Sequence, residues 1–283
     1  MPSCTPGSLW RIGNASLDSL APLQPRTDHP RFQRFRVIAA LVIREMNTAF
    51  GRSAGGYLWA IAQPLGGILL LSLAFRLALR TPPIGTSFML FYSTGVIPFQ
   101  IFNTMSSKVS AAIASNRGLL AYPVVSPLDA VMARFVLNVL TNFMMAVLLF
   151  SVVIIFGGVY VVIDLAAAVE AFVLISLLGL GIGTLNCVLF GFFPTWKNIW
   201  SVLTRPLFIM SGVIFLYESV PPAFQHVMWY NPIMQSIGRM RSGFFGTYHA
   251  DYVSAPYILA IALTTFVIGA YLMRRHASFL IEQ

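Results

Sequence analysis

The chain has 283 residues, of which 57% are hydrophobic and only 10% carry a charge. A soluble domain carries about 25% charged residues, so a soluble fold of this composition would expose apolar patches of the kind that soluble proteins avoid. These values exclude a soluble globular protein and predict an all-α polytopic membrane protein, because a bilayer core about 30 Å thick requires roughly 20 apolar residues per spanning helix.

The net charge of +9 raises the alternative of a nucleic-acid-binding protein. The basic residues are not distributed as such a function requires, because they precede the first apolar segment or flank the later ones. This placement is typical of the orientation signals of membrane proteins. We therefore expect no nucleic-acid partner.

The chain begins with a segment that has no apolar periodicity and contains several prolines, and we predict a loose cytoplasmic tail over residues 1–31. Residues 32–56 are predicted to contain an amphipathic interfacial helix. Its apolar stripe consists of Phe35, Ile38, Val42, Met46 and Ala49. The alternative is a helix that packs on a partner protein.

Residues 57–283 form the predicted six-helix transmembrane domain. The predicted spans are Tyr57–Leu79, Phe88–Met105, Ala130–Phe156, Leu165–Phe193, Ile199–Tyr217 and Tyr257–Met273. In the fourth span, Gly179 and Gly183 have the small-xxx-small spacing of close helix packing. We expect this pair to pack inside the chain, the alternative being a dimer seam.

A further helix is predicted in the long segment between the fifth and sixth spans. Asn231 is a suitable N-cap, and Pro232 suits the first helical position. The residues Ile233, Ile237, Met240 and Phe244 then share one apolar face. We predict an external re-entrant helical segment.

The basic residues also predict the orientation of the six spans. With the N-terminus inside, the outer segments contain only Arg76, Arg80, Arg239 and Arg241, and the other 14 of the 18 basic residues lie inside. Inner loops of membrane proteins are enriched in Lys and Arg. We therefore expect a multi-pass protein of the bacterial inner membrane with both termini in the cytoplasm.

The sequence lacks the residues that an energy-converting or catalytic protein would need. Neither of its two lysines, Lys108 and Lys197, follows a glycine-rich phosphate-binding loop. Its nine acidic residues suggest no paired acid and base and no metal cage. We therefore expect a transporter without a bound cofactor or metal, and an integral-membrane enzyme of glycan or lipid metabolism is the alternative from a different class.

Several local stretches resemble a known family when they are taken in order. They are Ile43-Arg44-Glu45-Met46, residues 52–59 (RSAGGYLW), residues 204–208 (TRPLF), Ser211-Gly212-Val213, and Tyr230-Asn231-Pro232 continuing to Arg241-Ser242-Gly243. Together with the order of the predicted helices, they resemble the permease subunit of type-2 ABC exporters over residues 32–283. The closest similarity is to permeases that export capsular polysaccharide, with O-antigen and teichoic-acid permeases as relatives.

This resemblance implies a homodimer that binds two copies of a separate ATP-binding subunit, which uses ATP and magnesium. It also implies a polysaccharide substrate and, in capsule systems, a periplasmic adaptor. Export of a lipid-linked glycan of the O-antigen or teichoic-acid type, or of a small molecule, is the alternative within the same architecture.

Four residues are candidates for the substrate path: Arg205, Tyr57, Trp59 and Phe208. Arg205 is the only ionisable residue well inside a predicted span, and a guanidinium there must snorkel, pair or meet water. Aromatic rings can stack on sugar faces, although aromatic residues at span ends usually belong to interfacial belts. We expect Arg205 to face a water-filled path and to help an anionic glycan to move, and snorkelling to the headgroups is the alternative.

The inner loop between the second and third spans is the candidate for coupling to the ATPase. Its candidate residues are Asn116, Arg117, Leu120, Tyr122 and Asp129. The loop is too long for a simple turn, and Leu119, Leu120 and Tyr122 could form an apolar knob. The alternative is an ordinary solvated loop.

Overall fold

The computed structural model describes residues 30–50, 54–79, 81–120, 126–158 and 160–282. Within these residues the secondary structure is helical, and no β-strand occurs in them. The α-helices are α1 (Pro30–Phe50), α2 (Ala54–Ala78), α3 (Phe88–Ser110), α4 (Ala112–Leu120), α5 (Pro127–Gly157), α6 (Leu165–Phe192), α7 (Trp196–Met210), α8 (Pro222–Trp229), α9 (Pro232–Phe244), α10 (Ala255–Arg275) and α11 (Ala277–Glu282). The predicted tail over residues 1–31 lies, up to residue 29, outside the described residues.

Four of the described helices are long and apolar enough to cross a membrane. They are the Ile61–Ala78 part of α2 and the whole of α5, α6 and α10. The second and fifth predicted spans correspond to α3 and α7. α3 has 23 residues but contains many polar side chains, and α7 has only 15 residues. The structure therefore supports a multi-pass membrane protein, and six spans remain a prediction.

α6 lies at the centre of the helix packing, against α3, α9 and α10. Its glycines allow α3 to approach closely. A Cβ atom on Gly179 would lie 2.7 Å from Cβ of Met105, and one on Gly183 would lie 2.8 Å from Cβ of Val109. Both distances are shorter than ordinary van der Waals contacts, so α3 would have to move if either glycine carried a side chain. The prediction that this pair packs within the chain is confirmed.

The helix predicted between the fifth and sixth spans is α9, and its start is the predicted one. The Asn231 side chain caps it by accepting a hydrogen bond from the backbone N–H of Ile233 (3.0 Å), and Pro232 occupies the first position. The four residues of the predicted apolar face are buried against the core: Ile233, Ile237, Met240 and Phe244. Hydrophobic burial therefore attaches α9 to the body of the protein.

The helix in the predicted fifth span is shorter than the sequence indicated. It ends at Met210, whereas the prediction placed the end at Tyr217. Gly212 follows in the left-handed region (φ 70°), which terminates the helix although the surrounding residues remain apolar. A turn over residues 211–216 therefore occupies the outer part of the predicted span.

α1 packs against α5 rather than lying apart from the other helices. Glu45 forms an ion pair with Arg134 of α5, and Arg134 also donates a hydrogen bond to the carbonyl of Lys108 (3.0 Å). The most buried described side chain of α1 is Leu41, which the predicted apolar stripe did not include, whereas Met46 of that stripe is exposed. The packed face of α1 is thus rotated from the predicted one because α5, and not only a membrane surface, covers it.

Candidate functional site

A cavity of about 910 Å³ opens between α3, α4, α6, α7 and α11. This volume is at the upper end of the range for ligand sites, about 300–1,000 Å³. The lining residues are Phe99, Asn103, Ser107, Ser110, Ala111, Ile113, Ala114, Arg117, Cys187, Phe190, Gly191, Pro194, Lys197, Trp200, Ser201, Thr204, Arg205, Phe208 and Leu280.

One wall of the cavity is a single face of α7. Lys197, Ser201, Arg205 and Phe208 follow at spacings of four, four and three residues, so they align along one side of the helix. None of the residues of α7 is buried in the protomer, and its packing contacts to α6 are few. The indole N–H of Trp196 fixes the start of α7 by donating to Oδ1 of Asn186 on α6 (3.1 Å).

The opposite wall is formed by α3 and α4. Its α3 part presents uncharged polar side chains, and its α4 part presents a cation. Asn103, Ser107 and Ser110 follow at helical spacing on α3, and Arg117 belongs to α4. The Ser110 hydroxyl donates to the carbonyl of Ser107 (2.9 Å), and the Thr204 hydroxyl across the cavity donates to the carbonyl of Trp200 (2.8 Å). Hydroxyls whose proton is used in this way still offer acceptor lone pairs to a ligand.

The charge of the cavity lining is entirely positive. Arg117, Lys197 and Arg205 line it, and no acidic side chain is among the described lining residues. All three cations are exposed, and none makes a hydrogen bond or ion pair with another described residue. Three cations that have no partner among the described residues, placed around one concave surface, create a positive potential that attracts anions.

The predicted substrate-path residues are partly brought together by this cavity. Arg205 and Phe208 both line it, and the ring of Phe208 meets that of Phe99 edge to face at a centroid distance of 5.0 Å. The side chains of Tyr57 and Trp59 lie outside the described residues, so their role remains a prediction. Lys197 and Trp200 also line the cavity, and sequence reasoning did not select them for the path.

The predicted coupling loop forms α4, a short helix that bends at Asn116 (φ −113°, ψ 15°). Asn116 is buried, with Nδ2 donating to the carbonyl of Ala112 (3.1 Å) and Oδ1 accepting from Arg44 of α1 (3.5 Å). Asp129 serves the start of α5, where its carboxylate accepts the backbone N–H of Ser126 (3.1 Å) in a capping box.

The apolar knob expected on this loop is not formed by Leu120. That side chain is only 5% exposed and packs in a core cluster with Val131 of α5 and Met273 of α10. Tyr122 lies outside the described residues, as does the side chain of Leu119. The exposed positions of α4 are Ala114, Ser115, Arg117 and Gly118, so any docking surface that α4 provides must include these.

A second polar cluster lies at the other end of the molecule, around Arg241 of α9. Arg241 is only 2% exposed. Its guanidinium donates to the carbonyls of Phe215 (2.9 Å) and Val213 (3.0 Å), and its central carbon lies 4.4 Å from the ring centroid of Phe91. From the sequence, Arg241 was expected only to be one of the four basic residues of the outer segments. Its spacing of four residues from Ile237 placed it beside the apolar face of the helix, and this signal could have revealed its burial.

The same cluster fixes the turn after α7 from a second point. The Asn231 side chain donates to the carbonyl of Met210 (3.2 Å) and to the Ser211 hydroxyl (3.3 Å), in addition to capping α9. The N-cap residue of α9 and its buried arginine therefore both hold the turn that ends α7.

Tyrosines and a carboxylate from the segments that follow α7 and α9 complete the cluster. The Tyr248 hydroxyl donates to the Glu218 carboxylate (3.0 Å), and the rings of Tyr217 and Tyr252 stack at 4.1 Å. Burial raises the pKa of Tyr252 to about 12, and it raises that of Tyr248 still further. Both phenols therefore stay neutral at physiological pH and keep their hydrogen-bonding protons.

A group of three or more His, Cys, Asp or Glu side chains that could hold a metal ion does not occur within the described part of the chain. The described residues thus form two polar sites of different character. One is an open cationic cavity beside α4 and α7, and the other is a buried arginine cluster beside α9.

Comparisons with known proteins identify relatives over most of the chain. Residues 36–245 match the sequence profile of the ABC-2 type transporter family. The chain is 32% identical to the polysialic acid transport protein KpsM of Escherichia coli over 238 residues, which are 84% of this chain and 92% of that protein. It is 28% identical over 235 residues to the capsule polysaccharide export inner-membrane protein CtrC of Neisseria meningitidis serogroup B, covering 83% and 88% of the two chains.

A further relative is named for a different export system. The chain is 24% identical over 239 residues to the O-antigen export system permease protein RfbA of Klebsiella pneumoniae, covering 81% of this chain and 88% of that protein. The similarity thus extends beyond proteins named for capsule export.

Proposed function

The chain belongs to the ABC-2 type transporter family, and from this premise we propose that it is the permease subunit of an ATP-driven exporter of capsular polysaccharide in the bacterial inner membrane. The observation that carries the proposal is the 32% identity to KpsM over 84% of the chain. Export of an O-antigen type glycan is the second candidate, supported by the weaker similarity to RfbA.

The family to which the chain belongs implies an ABC ATP-binding partner. We propose a homodimer of this chain with two copies of that separate subunit, which binds ATP and magnesium, and a periplasmic adaptor on the outer side. The exposed apolar side chains of α7, such as Ile199, Val202 and Leu203, are available for a contact with the second protomer inside the membrane.

We propose that α2, α3, α5, α6, α7 and α10 are the six spans, with α1 at the cytoplasmic surface and α8–α9 at the outer side as the re-entrant segment. The distribution of basic residues supports this orientation. Arg134 and Lys108 meet near Glu45 of α1, at the end that we assign to the cytoplasm, whereas Arg239 and Arg241 belong to α9.

Arg205 and Phe208 are proposed to contact the glycan as it passes the cavity face of α7, and Tyr57 and Trp59 are proposed to extend the path. The exposure of Arg205 and its place in the cavity lining support this role. A permanently charged, planar guanidinium suits a carboxylate or phosphate that moves past it.

The exposed surface of α4 is the proposed docking element for the ATPase, with Arg117 as its charged contact. The hydrogen bond between Arg44 and Asn116 and the ion pair between Glu45 and Arg134 support this role. These contacts connect α4 and α5 to α1, so a displacement of α4 would reach the neighbouring helices.

The proposal is tested by deleting the gene in its native host and restoring it on a plasmid. We expect the deletion strain to lose surface capsule and to accumulate the polymer in the cytoplasm, and the plasmid to restore export only when the partner ATPase can hydrolyse ATP. Loss of O-antigen with normal capsule would favour the second candidate. Transport by the purified chain alone, driven by a proton or sodium gradient in liposomes, would contradict both.

A further inference from the structure

The three cations that line the cavity beside α4 and α7 belong to two different structural elements. Lys197 and Arg205 lie on α7, whereas Arg117 lies on α4, which is the proposed docking element for the ATPase. A ligand that binds all three therefore contacts both elements at once.

We propose that this cavity is a binding site for an anionic end of the glycan, with Lys197 and Arg117 as ligand-binding residues beside Arg205, and that occupancy of the site stimulates the partner ATPase through α4. The proposal rests on the proposed function for the identity of the polymer. It adds the site, two of its residues and their link to ATP hydrolysis.

The chemistry of the lining indicates a carboxylate or a phosphate that is attached to a sugar. Three cations without an acidic neighbour among the described lining residues favour an anion. Asn103, Ser107 and Ser110 provide hydrogen-bonding groups for sugar hydroxyls, and Trp200 and Phe208 provide rings for apolar sugar faces. An isolated inorganic ion would contact only the cations and would make no use of the aromatic rings.

The geometry of α7 supports an extended ligand over a point ion. Lys197 and Arg205 are eight residues apart on one face, which corresponds to about 12 Å along the helix axis. A short acidic oligosaccharide presents charges at such intervals and can contact both cations without either side chain bending toward the other. Several sugar units fit the scale of a 910 Å³ cavity.

The link to the ATPase follows from the contacts of α4. Arg117 lies directly after the bend at Asn116, and Asn116 accepts a hydrogen bond from α1. A ligand that pulls Arg117 toward α7 would fix the position of α4 relative to the membrane helices. Because ligand binding and the position of α4 are then thermodynamically linked, the ligand should favour the α4 position to which the ATPase responds.

Cys187 offers a reporter of occupancy inside the cavity itself. It lines the cavity and is 4% exposed. In a Cys4→Ser background it is the only thiol of the chain, so its rate of modification by a small maleimide reports how freely the cavity admits molecules. The assay uses the permease–ATPase complex in nanodiscs of uncharged phosphatidylcholine.

We expect a tetrasaccharide of sialic acid to slow the modification of Cys187 and to stimulate ATP hydrolysis several-fold, and an uncharged maltotetraose to do neither. Lys197→Gln and Arg117→Gln should each raise the half-effective concentration of the acidic tetramer about tenfold, because each variant removes one charge-assisted contact with the anion. Lys197→Arg should restore most of the affinity.

Arg275→Gln is the matched control, because it removes the same charge at an exposed position outside the cavity lining. Protection of Cys187 is also measured on the permease without the ATPase, which separates ligand binding by Arg117 from any contact of Arg117 with the ATPase. A loss of ATPase stimulation in Arg117→Gln with unchanged protection would assign Arg117 to docking alone and would overturn its role in binding.

Two further outcomes would overturn the site. Equal protection by the acidic and the uncharged tetramer would remove the role of the cations. Protection by phosphatidylglycerol in the nanodisc, without any sugar, would make the cavity a lipid headgroup site. Neither outcome affects the proposed function, which is decided by capsule export in cells.

Discussion

Arginines at the two ends of the molecule are used in opposite ways. In the cavity beside α4 and α7, Arg205 is exposed and has no hydrogen-bonded partner among the described residues. In the cluster beside α9, Arg241 is buried and donates to two backbone carbonyls. Burial and two hydrogen bonds to carbonyls make Arg241 inaccessible to a ligand, whereas a ligand can reach the exposed guanidinium of Arg205. Arg241 therefore has a structural role in α9, whereas Arg205 of α7 is available for the ligand contact that we propose.

The largest loss of stability is expected from substitution of the buried Arg241 of α9. Arg241→Met removes both hydrogen bonds and leaves the buried carbonyl of Val213 and the partly buried carbonyl of Phe215 without this donor, which should destabilise the protein by about 2–5 kcal/mol. Membrane yield and the thermal transition of the purified complex in detergent should both fall. Arg241→Lys should recover part of the loss. A melting temperature equal to that of the wild type would remove the structural role of Arg241.

Arg205→Leu tests the opposite assignment. We expect export to fall at least tenfold with normal membrane yield and normal assembly with the ATPase, because no described contact of the fold depends on this guanidinium. Arg205→Lys should retain partial export, since the charge remains without the planar fork. Surface capsule and membrane yield are measured together. Export at the wild-type rate in the leucine variant would mean that Arg205 only anchors the helix.

The Glu45–Arg134 ion pair provides an intermediate case. Like Arg241, Arg134 of α5 has partners within the fold, since it pairs with Glu45 and donates to the carbonyl of Lys108. Arg134→Glu should destabilise the packing of α1 by about 1–3 kcal/mol, since it places two carboxylates together in a mostly buried position. The double variant Glu45→Arg, Arg134→Glu should recover part of this.

Hydrogen exchange of residues 37–46 measures how firmly α1 is held in these variants. Exchange in the double variant as fast as in the single one would show that the pair itself does not hold α1. The lost hydrogen bond to the carbonyl of Lys108 sets the limit of the expected recovery.

The smallest effect is expected from Arg239→Gln on the exposed side of α9. Arg239 pairs with Glu170 of α6 (2.8 Å from Nε), but both side chains are more than one third exposed. Such pairs contribute about 0–1 kcal/mol, so the melting temperature should change by only a degree or two. A loss as large as that of Arg241→Met would show that charge, and not burial, decides the role of the outer arginines.

The sequence predicted those features that depend on neighbouring residues. The start of α9 followed from Asn231 and Pro232, which act within one helical turn. The starts of α5, α6 and α10 lie within about three residues of the predicted ones, because apolar runs and their caps are local signals. That Gly179 and Gly183 pack within the chain was predicted from their spacing alone, whereas the structure identified α3 as their neighbour.

Other features required the tertiary structure. The end of α7 depends on the left-handed conformation of Gly212, which Asn231 and Arg241 hold from α9. Leu120 is buried because α5 and α10 reach it, which no local pattern shows. The cavity brings Arg117 next to α7 across some 80 residues of chain, so sequence reasoning assigned Arg117 and Arg205 to separate roles and did not select Lys197.

The early end of α7 also bears on how the protein deforms its surroundings. Its 15 residues measure about 22 Å, less than a hydrocarbon core of about 30 Å. A helix with such a hydrophobic mismatch thins the bilayer around it or is completed by other protein segments. The turn over residues 211–216 meets this need, with its carbonyls bonded to Arg241. With α7 as one of the proposed spans, the turn completes the crossing with backbone groups that Arg241 already hydrogen-bonds, so the bilayer does not have to thin beside α7.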